Sequence, residues 1–213
     1  MKELVWATLV TISVAAMARA DCDWIVVPGV RAGNITATTS EQDLIATYGQ
    51  ENVASLELPV GEGLVEPVSR LFPNDPRKTA DVFWEDASRE NPRAVRIDHE
   101  RTLWRTGTGI TIGMTLRAIE QINGGPFVLS GFDWDYGGTV IHCGEGSFEE
   151  LGVETPEGIR GRTLLLRLSP DTSRQGSREY SEVKGDKPFR SDHPSMQSLN
   201  PTVYQMIVTF REE

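Results

Sequence analysis

"GITIGMTLRAIEQINGGPFVLSG", Gly109 to Gly131, decides the fold class, because an earlier stretch, "GNITATTSEQDLIATYGQENVASL", Gly33 to Leu56, follows the same plan. With Ile35 set against Ile110, Thr36 meets Thr111, Ser40 meets Thr115, Leu44 meets Ile119 and Gly49 meets Gly124. Val53 then meets Val128, and Ser55 meets Ser130. Ser40 and Thr115 suit helix N-caps, since a hydroxyl oxygen accepts from the first unpaired backbone N–H groups. Asp43 stands where a capping box places its acid, while Ala118 does not. Leu44 and Tyr48, and Leu116, Ile119 and Ile122, form apolar stripes at helical spacing. Gly49 and Gly124 are expected to stop each helix in the left-handed conformation. Each helix then feeds a strand, "VASLEL" in one case and "PFVLSGF" in the other.

The spacing exceeds the roughly 20–50 residues of solenoid units, so the reading is duplicated segments rather than a repeat array. "ADVFWED", "RAVRID", "FDWDY", "GTVIHC", "TLLLRL" and "TVYQMIVTF" read as further strands. In the last of these Tyr204, Met206, Val208 and Phe210 are expected to share one face. "EGLVEPVSRLFPNDPRK" and the long polar stretch 169–195 read as loops from their Pro, Gly, Ser and charge content. The expected fold is α+β: two related helix-then-strand halves, with short helices packed on a mostly antiparallel sheet. The expected organisation is a signal peptide at 1–20, a first α+β repeat at 21–108, and a second at 109–213 that carries the long loop.

Lys2, the apolar run Leu4 to Met17 and the small-x-small site Ala18-Arg19-Ala20 together read as a signal peptide cleaved before Asp21. Export to the periplasm or beyond is therefore expected, with no transmembrane segment left after cleavage. The chain has two cysteines, Cys22 and Cys143. An oxidising compartment suits a disulfide between them. It would close a loop of about 120 residues, for which the chain-entropy account gives about 4–5 kcal/mol. Asp21 before Cys22 argues against lipid modification. The formal net charge is −10, from 31 acidic and 21 basic side chains. No basic run interleaves with aromatics, so neither nucleic acid nor an anionic membrane is the expected partner.

"SGFDWDYGGTV" is the densest surface signal. On a strand, Phe132, Trp134 and Tyr136 would point one way and Asp133 and Asp135 the other. Trp and Tyr are enriched where a partner is gripped, because they combine rigid area with a polar tip. These five residues are the candidate binding set; a core role for the rings is the plain alternative. The acids lack the spacing of a calcium loop, and H-E-x-x-H and paired-cysteine motifs are absent, so no metal or cofactor is expected. G-x-S-x-G is absent as well. "SDHPS", Ser191 to Ser195, reads as a turn before Pro194 rather than a triad, since triad members converge through the fold and not along the chain.

"GNITATTSEQDLIATYGQENV", "LFPNDP", "TGTGITIGMTLRAIEQINGGPFVLSGFDWDYGG" and "SDHPSMQSLNP" together resemble a family of exported bacterial proteins of unassigned function. The likeness spans most of the chain after Ala20 and brings no activity with it. The duplicated helix-glycine-strand plan is similar to the tandem arrangement of the beta-lactamase inhibitory protein, a likeness of fold only. The expectation is a non-catalytic binding module of the bacterial cell envelope, meeting an envelope protein partner. A hydrolase working through Asp133, Asp135 and His142 is the alternative from another class, and a purely structural envelope protein is a third.

Overall fold

The computed structural model describes residues 23–61, 64–144, 146 and 163–210. The expected signal peptide and Cys22 lie outside them. Both expected helices form. In α1 (Glu41–Tyr48) Ser40 Oγ accepts from Asp43 N–H at 3.1 Å, and Asp43 Oδ2 accepts from Ser40 N–H at 2.9 Å, completing the capping box. In α2 (Leu116–Asn123) Thr115 Oγ1 accepts from Ala118 N–H at 3.3 Å. Gly124 ends α2 in the left-handed conformation. Gly49 ends α1 differently, at φ 92° and ψ 145°, outside that region though still at a positive φ.

Three sheets form. β1 (Ile25–Val27) lies between β2 (Arg31–Ala32) and β7 (Arg105–Thr106), antiparallel to the first and parallel to the second. The large sheet is antiparallel throughout, and its strands are β3 (Val53–Gly61), β4 (Leu64–Leu71), β5 (Ala80–Trp84), β6 (Pro92–Ile97), β10 (Leu164–Ser169) and β12 (Thr202–Thr209). Their order is β10-β12-β6-β5-β4-β3. The third sheet is β8 (Val128–Ser130) between β9 (Val140–His142) and β11 (Pro188–Arg190). The chain is thus an α+β fold dominated by an antiparallel sheet.

One face of the large sheet is the core. Val82, Val95, Ile97, Leu164, Leu166, Met206 and Val208 pack with Leu44 and Tyr48 of α1 and Leu116 and Ile119 of α2. Each such side chain stabilises the fold by about 1.5–3 kcal/mol when fully buried. The opposite face carries a smaller apolar cluster, Val68, Phe83 and Ala94.

Four sequence expectations are corrected. "EGLVEPVSRLFPNDPRK" is not all loop, since its middle is β4. Pro67 is tolerated there because β5 pairs with β4 only from Val68 onward, so no strand on that side needs the missing N–H. The stretch 169–195 is not an open loop either. It holds a 3-10 turn at Thr172–Arg174, α3 (Arg178–Glu182), β11 and the start of α4 (Pro194–Leu199). Its polar residues act as caps: Asp171, Ser177 and His193 each accept from a backbone N–H two or three residues on. In β12 the pairing steps from Gln205↔Arg167 to Val203↔Leu168, so Tyr204 is the extra residue of a bulge. Val203 therefore takes the core position expected of Tyr204, which stays 39% exposed. The fourth correction is "FDWDY", which is a turn.

Candidate binding surface

β8 ends at Ser130 and β9 begins at Val140; the chain between them folds back on itself. Asp133 takes a positive φ of 69°, which breaks the extended path. Gly137 N–H donates to Trp134 C=O at 2.9 Å and Gly138 N–H to Gly131 C=O at 3.1 Å. Ser130 and Thr139 clasp the base of the turn: both hydroxyls donate to Tyr136 C=O, at 2.8 and 2.7 Å.

The turn is also clamped from outside. Phe132 N–H donates to Val183 C=O at 2.9 Å, and Gly185 N–H to Phe132 C=O at 2.8 Å. A Cβ on Gly131 would stand 2.5 Å from Gly185 O. On the other flank Leu168 N–H of β10 donates to Gly138 C=O at 2.9 Å, and a Cβ on Gly138 would meet Leu168 O at 1.8 Å. Only glycine fits this approach, and Gly138 also needs it for its φ of 69°.

The bend separates the three rings. Phe132 is 4% exposed and stacks on Tyr180 with centroids 6.0 Å apart. Trp134 and Tyr136 are 37% and 58% exposed and meet edge to face at 5.4 Å. The expected common face of all three rings is therefore wrong for Phe132, which belongs to the core, and Trp134 and Tyr136 stand at the surface. Trp134 Nε1 donates to Gly131 C=O at 2.9 Å, fixing the indole on its own turn. The Arg167 guanidinium of β10 lies 5.6 Å from the Tyr136 ring centroid, a cation–π contact. Lys184 Nζ pairs with Asp133 Oδ2 at 2.7 Å, and that hydrogen bond raises the lysine above its ordinary value. Asp135 is exposed. The result is one rigid corner presenting Trp134, Tyr136 and Arg167, edged by Asp133, Lys184 and Asp135.

The other candidates do not converge. His142 lies on β9, where its Nδ1 accepts from Gly144 N–H at 3.0 Å. Among the described residues no hydrogen bond joins it to Asp133 or Asp135. No group of three His, Cys, Asp or Glu among them could hold a metal ion. Ser195 donates to Glu182 and Ser191 to Glu120, while His193 caps α4 through Ser195 N–H. Ser195 thereby ties α4 to α3, and Gln197 Nε2, which donates to Glu120 Oε2 at 2.9 Å, ties α4 to α2. Cys143 is half-buried beside the core, with no disulfide partner among the described residues. Among the described residues no helix is long and apolar enough to cross a membrane.

Arg167 and Lys184 were not among the sequence candidates. Arg167 sits in an ordinary strand run, "TLLLRL", and Lys184 in a polar stretch. Only the fold brings either to the turn. Comparison with family models, with curated proteins and with solved structures returns no match.

Proposed function

We propose that this chain is an exported, non-catalytic binding module of the bacterial cell envelope that grips a protein partner at the Trp134–Tyr136–Arg167 corner. One observation carries the reading: two large rings stand in solvent on a turn clamped along both flanks. Trp, Tyr and Arg are the residues enriched at interface hot spots. Ordering them beforehand reduces the entropy lost on association. The export signal and the resemblance to exported bacterial proteins support the setting.

The test is retention of an envelope protein by immobilised protein. Trp134→Ala/Tyr136→Ala should weaken retention by about 30-fold or more, the loss of one hot-spot contribution. Tyr204→Ala, which removes another exposed ring, should leave retention unchanged. Equal retention by the first variant and the wild type, with unchanged circular dichroism, overturns the assignment.

The same reading includes a Cys22–Cys143 disulfide in the exported protein. A thiol assay on denatured, unreduced protein should find no free thiol. Two thiols per chain would show that the bridge does not form.

A further inference from the structure

β3 (Val53–Gly61) is an outer strand of the large sheet, and among the described residues no strand pairs with its free side. The direction of its backbone groups follows from three observations. Phe72 N–H donates to Asn52 C=O at 2.8 Å, and these two residues stand opposite each other one step beyond Val53↔Leu71. Even-numbered residues of β3 therefore turn their N–H and C=O groups toward β4, and odd-numbered ones turn theirs outward. Val53 N–H accordingly points away from β4 and donates to Gln50 C=O. Pro59, which has no N–H to give, falls at an outward position. The N–H and C=O groups of Ser55 and Glu57, both exposed residues, are thus left without a backbone partner among the described residues.

A long open edge is a template for another strand, and most proteins shorten or cover theirs. The opposite edge of this sheet is covered in part, since Leu168 N–H of β10 donates to Gly138 C=O at 2.9 Å and Arg167 bridges to Thr139. β3 is bare. Its Ala54, Leu56 and Leu58 share the face opposite the main core and are half-buried. Leu58 packs there against the cluster of Val68, Phe83 and Ala94.

We propose that β3 pairs with β3 of a second copy of this chain, antiparallel about a two-fold axis at Leu56. Under a two-fold axis the same edge serves both copies, each donor meeting the other copy's acceptor. Hydrogen-bonded pairs must join outward residues, which limits the register. Setting Ser55 opposite Ser55 would put Leu58 against the polar Asn52. Setting Glu57 opposite Glu57 would put like charges face to face, which destabilises a ladder. Setting Ser55 opposite Glu57 avoids both, and each such pair exchanges N–H and C=O bonds in both directions. Leu56 then meets Leu56 of the second copy with Cα atoms about 4.5 Å apart, and Ala54 meets Leu58. The apolar strip continues across the axis from Val68 and Phe83 of one copy to those of the other. Pairing consumes β3 in both copies and β10 is partly covered, so the assembly stops at two. The proposal does not rest on the Trp134–Tyr136 corner.

The test is sedimentation velocity on the protein beginning at Asp21, from about 5 to about 500 µM, the range suited to a small interface. The weight-average coefficient should rise with concentration from one chain toward two, with or without reductant. Glu57→Pro removes an outward N–H that β4 does not use and should weaken association by about tenfold or more. Leu56→Lys and Leu56→Glu should each weaken it as much, by setting like charges at the axis, and an equimolar mixture of the two should recover it. Trp134→Ala/Tyr136→Ala should leave it unchanged. Circular dichroism checks each fold, and if the Leu56 variants do not fold, Glu57→Pro decides. A wild type that stays one chain at the highest concentration, association that reductant abolishes, full association of Glu57→Pro or of either Leu56 variant alone, no recovery in the mixture of folded Leu56 variants, or loss of association in the Trp134/Tyr136 variant would each overturn the assignment.

Discussion

Asp81 is 4% exposed on β5, yet it holds two arginines. Arg70 of β4 donates to both carboxylate oxygens, Nε to Oδ1 at 2.7 Å and Nη2 to Oδ2 at 3.0 Å, and Arg96 of β6 adds Nη2 to Oδ2 at 2.6 Å. Burial pushes the Asp81 carboxyl up, but the hydrogen bonds and charges of Arg70 and Arg96 outweigh it and hold the group below its ordinary value. A carboxyl depressed in the folded state contributes stability that is complete above its unfolded value and lost as pH falls through the folded one. Both arginines reach solvent in part, which screens the pair. Asp81→Asn should therefore cost about 2 kcal/mol at neutral pH, at the lower end for breaking such a group. Urea denaturation should show the gap from wild type shrinking as pH falls below the ordinary carboxylate range and wild-type Asp81 itself gains a proton. A gap independent of pH would mean that the arginines do not stabilise the charged form. This triad was not legible in the sequence, because its members lie on three strands whose register only the folded sheet defines. Trp134 and Tyr136 were legible as candidates, because large rings beside acids and paired glycines form a local signal.

The elements divide along the same line. α1 and α2 could be placed from Ser40, Thr115, Gly49 and Gly124 because capping is chemistry within a few residues of the chain. β5, β6 and β10 were legible as apolar runs. Apart from the conformation of Gly49, the misses depend on a partner distant in sequence. β4 contains Pro67, which reads as a breaker until the late start of β5 pairing is known. Tyr204 leaves the core because β10 imposes a bulge on β12. The turn after β8 looks extended in sequence, but Gly138 must lie against Leu168 of β10 and Gly131 against Gly185. Serines and aspartates in 169–195 signal loop and N-cap equally well, and buried Tyr180 and Val183 decide for a helical segment anchored to the core.

At the scale of the molecule, helix, glycine and strand occur twice, but the two strands that follow go to different sheets, β3 to the large one and β8 to the small one. The segments 21–108 and 109–213 also do not keep to separate sheets. β12 pairs with β6 through Met206↔Ile97, Ile207↔Arg96, Val208↔Val95 and Thr209↔Ala94, so the large sheet crosses the boundary between them. Val95 and Ile97 from one segment share a core with Leu164, Leu166, Met206 and Val208 from the other. Separating the segments would leave β6 as an open edge and expose these side chains, each worth about 1.5–3 kcal/mol when buried. Whole domains retain only about 5–15 kcal/mol of net stability, so neither segment should survive alone. The full chain should then unfold in one calorimetric transition, with its calorimetric enthalpy equal to the van't Hoff value. Fragments 21–108 and 109–213, prepared separately, should show no cooperative melt by circular dichroism. A cooperative transition in either fragment would mean that the core divides at the boundary, and that β6 against β12 is a contact between two units rather than the middle of one sheet.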